Sequence, residues 1–230
     1  MAQPPPTKRT RAAGDQARAR IVERAAQLAT IEGLDGLSIG RLADATGVAK
    51  SSVHALFGSK EDLQLATVHA ARDSFLVEVI TPALSAAPPG RQRLIALCDG
   101  FLSYVERRVF PGGCFFVAAA AELGARPGRV HDEVARIQQQ WRDLLHGEAC
   151  AALNNGELPT EADPAQLAYE LGVILAGTNL VAVLHNDNNA IERARSAIRA
   201  RLDHRTERSA SETQGLADMT RTQIGSSVPR

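Results

Sequence analysis

Aromatic residues make up only 4% of this 230-residue chain, and there are three cysteines. Sheets draw on aromatic and β-branched side chains, so this scarcity beside abundant alanine favours helices. Cys98, Cys114 and Cys150 stand far apart. They offer no metal-ligand spacing, which points to free thiols in a reducing cytoplasm and to no bound metal. No run of roughly 18 apolar residues escapes polar interruption. The nearest, Leu171 to Leu184, is shorter and carries Thr178 and Asn179, so no membrane span is expected. The N-terminus lacks the apolar core of a signal peptide. Catalytic signatures are missing too: there is no HExxH, GxSxG, GxxxxGK or CxxC. The histidines are scattered, and only His131 has an acid beside it, Asp132. Adjacent residues on a helix do not face together, so neither enzymatic activity nor a cofactor is expected.

Net charge is zero, with 26 basic and 26 acidic residues, but the sum hides an asymmetry. Nine of the Lys/Arg and five of the Asp/Glu fall in residues 1–60, leaving the rest of the chain acidic. A basic head on an acidic body suits a polyanion partner for the head alone. A surplus this modest also describes an ordinary solvated surface, because a basic patch is a footprint and not proof.

Hydrophobic periodicity predicts an all-α chain of about nine helices. Residues 1–14 read as a disordered basic arm. Asp15 can cap a helix to about Ile31, with Ile21, Val22, Ala25, Ala26, Leu28 and Ala29 on its apolar side. Gly33 and Gly36 bracket a break. Ser38 then caps a short helix from Ile39 to about Ala45, and Gly47 allows a tight turn into a second, from about Ala49 to Leu56. Ser59, with Asp62 in the capping-box position, opens a long helix to about Leu84. Further helices follow the breaks at Pro88-Pro89, Pro111-Gly112-Gly113, Pro127-Gly128 and Asn155-Gly156. Asp163-Pro164 starts a helix to about Leu184 that is apolar nearly all round. The last helix runs from Ala190 to Leu202. The divisions expected are 15–62 as a three-helix head, 63–203 as a second helical domain, and 204–230 as a mobile tail.

Residues 38–57, SIGRLADATGVAKSSVHALF, place two short helices about a glycine turn, a helix-turn-helix layout. Lys50, Ser51, Ser52 and His54 fall on the outer face of the second helix. A cation and short hydroxyls at a helix N-terminus suit phosphates and base edges. A glycine-linked helical hairpin also occurs in bundles that touch no DNA. The alternative reading is therefore a helical scaffold or protein-binding module, which salt-sensitive duplex binding would exclude.

Residues 18–63 resemble the DNA-binding domain of the TetR/AcrR regulators. The match lies in Ile21 and Ala25, Gly33 with Ser38, Leu42-Ala43, Gly47-Val48-Ala49-Lys50, and Phe57-Gly58-Ser59-Lys60-Glu61-Asp62-Leu63. Gly112-Gly113-Cys114-Phe115-Phe116 and the 163–202 helix pair are similar to one branch of that family. The resemblance implies a ligand-responsive transcriptional regulator, by default a repressor released from a palindromic operator by a small molecule. It implies Ser38 and Lys60 as phosphate anchors, Lys50, Ser51 and Ser52 as base readers, and His54 near a backbone phosphate. His54 stands where the family usually has Tyr or Phe, and Leu56 where it often has His.

The resemblance also implies a homodimer built on the last two helices, with Leu171, Ile174, Leu175, Val181, Ile191, Ala194 and Ile198 at the interface. Those apolar faces could instead close the core of one chain. The long helix after Ser59 would act as a lever between the domains. Phe101, Tyr104, Phe116, Trp141 and Leu145 are the candidates to line an effector pocket, Tyr104 and Trp141 each offering a polar contact. Aromatics at helical spacing serve as core residues just as readily.

Overall fold

The computed structural model describes residues 8–203, and every regular element among them is helical. They are α1 (Lys8–Glu32), α2 (Ile39–Thr46), α3 (Lys50–Phe57), α4 (Lys60–Phe75), a π turn (Leu76–Ile80), α5 (Thr81–Ala86), α6 (Arg91–Glu106), α7 (Phe115–Leu123), α8 (Arg129–Asn154), α9 (Pro164–Leu184) and α10 (Asn189–Asp203). Since α4, the π turn and α5 form one continuous rod, the described residues build nine rods.

Two expectations change. The first helix starts at Lys8, not at Asp15, so residues 8–14 are helical rather than a disordered arm. Lys, Arg and Ala there are strong helix formers, and one Gly14 costs only about 1 kcal/mol. The expected tail, 204–230, lies outside the described residues. The long rod is also not uniform. Pro82 has no N–H to give, and its ring crowds the preceding turn of a regular helix. The backbone widens just before it, where the Thr81 N–H bonds the Leu76 carbonyl five residues back.

The head is α1 to α3 with the start of α4. Ile21, Ala25, Leu34, Leu37, Leu42, Val53 and Leu63 are buried in its core. Ser38 caps α2, accepting from the Arg41 N–H, and Ser59 caps α4, accepting from the Asp62 N–H. Gly47 turns the chain between α2 and α3 at φ 67°, ψ 16°, a left-handed conformation that Cβ disfavours. The body is built around α6, which contacts the π turn, α5, α8, α9 and α10. Its Leu94, Leu97, Cys98, Phe101, Leu102, Tyr104 and Val105 are all buried.

By length and composition α9 could cross a membrane, at mean hydropathy 1.8. In the fold it lies between α8 and α10. Leu167, Ala168, Leu171, Leu175 and Ala182 turn inward.

Candidate DNA-binding surface and ligand cavity

Lys50, Ser51, Ser52 and His54 are all exposed on α3, while Val53 and Phe57 anchor the helix from beneath. The sequence of α3 holds no acid. Its N-terminus also differs from those of its neighbours. The position before it is Ala49, and no side chain caps it. The first N–H groups of α3 therefore remain open to an external acceptor, whereas α2 and α4 close theirs with serines. Ser38 is exposed, and its Oγ is already engaged in the cap. Lys60 is exposed, but its Nζ donates to the Asp35 carbonyl at 2.7 Å. An ammonium so bound keeps two further donors. Arg41 is bound by Glu32 through Nε at 2.9 Å and Nη2 at 2.6 Å.

The head is tied to the body through α7. The Glu122 carboxylate accepts the Leu34 N–H at 2.7 Å and the Asp35 N–H at 2.8 Å. Gln64 donates to the Leu34 carbonyl at 2.8 Å from the other side. The turn between α1 and α2 is thus fixed by α4 and α7 together. Ahead of α7, the Gly112 N–H donates to Thr30 Oγ1 at 3.1 Å. A Cβ on Gly112 would collide with the Thr30 carbonyl oxygen, and one on Gly113 with Asn179 Oδ1. Only glycine lets this loop pass between α1 and α9.

Seven of the nine aromatic residues form one cluster. Phe75 is its hub, with edge contacts to Trp141 (5.3 Å), Tyr104 (5.6 Å), Phe101 (6.2 Å) and Phe116 (6.3 Å). Phe101 stacks on Trp141 at 6.3 Å and 22°. Phe110 and Phe115 extend the cluster. Beside it lies a cavity of about 550 Å³, walled by α4, the π turn and α6 to α9. This volume suits a small molecule.

Of the five expected pocket residues, Phe101, Phe116 and Trp141 line the cavity, and Tyr104 and Leu145 do not. Leu145 is fully buried in the core. Tyr104 stands behind the wall, its hydroxyl buried without a hydrogen-bond partner. Burial pushes that phenol far above its usual range. Phe75, Leu76 and Ile80 on the rod, and Arg72, Arg136 and Arg142, also line the cavity and were not anticipated. Cys114 reaches the wall, but burial pushes its thiol up to about 11, and that of Cys98 to about 12. Neither is poised as a thiolate.

The dimer expectation needs correction. Leu171, Leu175, Ile191, Ala194 and Ile198 are each at most 4% exposed within one chain. They close the core where α9 meets α10, so they have no surface left for a partner. Ile174 is half-buried and Val181 is exposed. The exposed apolar surface of α9 is instead Tyr169, Val173, Leu180, Val181 and Leu184. Tyr169, Val173, Leu180 and Leu184 follow helical spacing along one stripe.

A small helix-turn-helix head whose outer helix carries Lys50 and no acid, joined to a larger helical body with a partly open cavity, has the layout of a helix-turn-helix regulator with a ligand-binding domain. Residues 21–67 match the family model described as bacterial regulatory proteins, tetR family. Residues 90–198 match that of the tetracyclin repressor-like C-terminal domain. The chain belongs to the TetR family of transcriptional regulators. It is similar to a TetR transcriptional regulator from Chloroflexus aurantiacus J-10-FL, at 26% identity over 84% of this chain and 96% of that one, with TM-score 0.77. It shares the fold of a regulator from Cytophaga hutchinsonii, at 18% identity over 83% and 95% of the two chains and TM-score 0.72. It also shares that of AibR, solved with isovaleryl coenzyme A and operator DNA, at 20% identity over 79% and 95% and TM-score 0.62. No curated protein is matched by sequence.

Proposed function

We propose that this chain is a homodimeric, cytoplasmic repressor that a small molecule releases from a near-palindromic operator. One observation carries the reading: α7 touches both ends of the machine. Phe116 and Val117 near its start line the cavity, and Glu122 near its end holds the turn that sets the head. A ligand that binds better when α7 is displaced favours a different head position, and by reciprocity DNA disfavours that ligand. Lys50, Ser51 and Ser52 read bases, while Ser38, His54 and Lys60 meet phosphates. The open N-terminus of α3 offers further donors. Two heads separated by roughly 34–36 Å would span one turn of DNA. The Leu180–Leu184 end of the α9 stripe, clear of the cavity that Tyr169 and Val173 line, forms the isologous interface that holds them there. The reading is supported by AibR, similar in fold, whose structure holds isovaleryl coenzyme A and operator DNA.

The test is selection of bound sequences from random duplex DNA, followed by titration of the winner at two salt concentrations. A palindromic motif whose affinity falls steeply with salt, and collapses in the Ser51→Ala/Ser52→Ala variant, is expected. Absence of any enriched motif, together with double-variant binding equal to the parent's, would replace this reading with a helical scaffold.

A further inference from the structure

We infer that the cavity takes an amphipathic monoanion, an aromatic or branched hydrocarbon body carrying one carboxylate. The assignment rests on reading this cavity as the effector site, and it names the effector's chemical class. The inner wall is apolar, with Phe75, Phe101, Phe116 and Trp141 offering ring faces and edges. The charged groups in the lining are all of one sign: Arg72, Arg136 and Arg142, with no Asp or Glu. That bias runs against the acidic excess of the chain beyond residue 60.

The three guanidiniums are not equivalent. Arg72 donates to Asp73 at 2.7 and 3.0 Å, and Arg136 to Glu133 at 2.6 and 2.8 Å. Arg142 reaches only the neutral amide of Gln139, at 2.5 and 3.2 Å. Among the described residues, no carboxylate lies within ion-pair distance of Arg142. The other two cavity arginines meet acids, and Arg142 differs from unpaired arginines elsewhere, such as Arg24 on Gln27, in standing at the rim of an apolar cavity. One guanidinium without a counter-ion beside apolar walls matches one negative charge. Its planar fork fits a carboxylate through two parallel hydrogen bonds. A cationic ligand would face the uncompensated charge of Arg142. A bare inorganic anion would leave the aromatic wall unfilled.

Trp141 is the only tryptophan in the chain, and it lines the cavity. Its emission therefore reports occupancy in the unmodified full-length protein. The probes are decanoate and 4-phenylbutanoate, each titrated against its neutral amide, with the neutral dye Nile red alongside. The acids should change Trp141 emission saturably and bind about ten-fold or more tighter than the amides. In Arg142→Gln, a helix-compatible change at an exposed site, that preference should shrink to about three-fold or less while the amides bind as before. Amides that equal the acids in the parent, or a preference that survives Arg142→Gln, would overturn the assignment. Nile red and amides binding without the acids would leave the cavity as a ligand site and remove only the charge assignment. Silence of Trp141 toward every probe would overturn the cavity reading itself, and this assignment with it.

Discussion

Replacing Glu122 by alanine should loosen the head from the body without disrupting the core of either. The carboxylate closes two backbone N–H groups, at 2.7 and 2.8 Å. A hydrogen bond to a charged acceptor is worth about 1.5–3 kcal/mol net. The two bonds do not count equally, because Asp35 is exposed and water replaces the lost partner there, whereas Leu34 is 1% exposed and its N–H is left poorly served. The expected loss is therefore about 2 kcal/mol, not twice that. At this chain length it corresponds to a fall in Tm of roughly 4–8 °C at fixed protomer concentration. Glu122→Gln keeps one acceptor oxygen and should lose about half as much. Hydrogen exchange followed by mass spectrometry localises the effect. Amides of residues 33–37 should exchange at least about ten-fold faster in Glu122→Ala, while those in the core of α6 stay slow. A Tm within about 1 °C of the parent and unchanged exchange over 33–37 would show that the clamp carries nothing. The α7 coupling route would fall with it.

On the α9 stripe, Leu180 is 60% and Leu184 69% exposed in the single chain. Leu180→Glu/Leu184→Glu should give a monomer by sedimentation at micromolar concentration with unchanged far-ultraviolet circular dichroism, and a persisting dimer would reject the stripe as the interface. The carboxyl of Glu133 is held down to about 2, chiefly by its hydrogen bond from Arg136 and further by that from His69. Its folded pKa lies below the unfolded value of about 4.3, so the stabilisation is whole above that pH and is lost as pH falls toward 2. With Arg136 and His69 both about half exposed, it should amount to about 1 kcal/mol. Urea unfolding at about pH 5 and about pH 3 should show this component in the parent and not in Glu133→Gln; parallel pH curves would refute the pairing.

The local signals were the legible ones. Glycine at position 47, serine caps at 38 and 59, and the apolar alternation of α2 and α3 act over a turn or two of chain, so the helix-turn-helix and its exposed face can be read directly. The start of α1 was misplaced because Asp15 has the chemistry of a cap, while the helix-forming residues before it carry the helix through. α9 was misread for a different reason. Amphipathicity identifies the inner face only when the two faces contrast, and this helix is apolar on both. Leu171 and Leu180 look alike in sequence, yet one is fully buried and the other 60% exposed in the single chain.

The sequence by itself determined the all-helical class, the order of the elements and the recognition helix, because capping, turn geometry and the 3.6-residue repeat are local physics. Tertiary structure alone decided which aromatics line a cavity, that three arginines meet at it, and that Glu122 reaches the turn 87 residues earlier in the chain. Those arrangements depend on how separate helices pack, and no residue's own neighbours in the chain record which distant face it will meet.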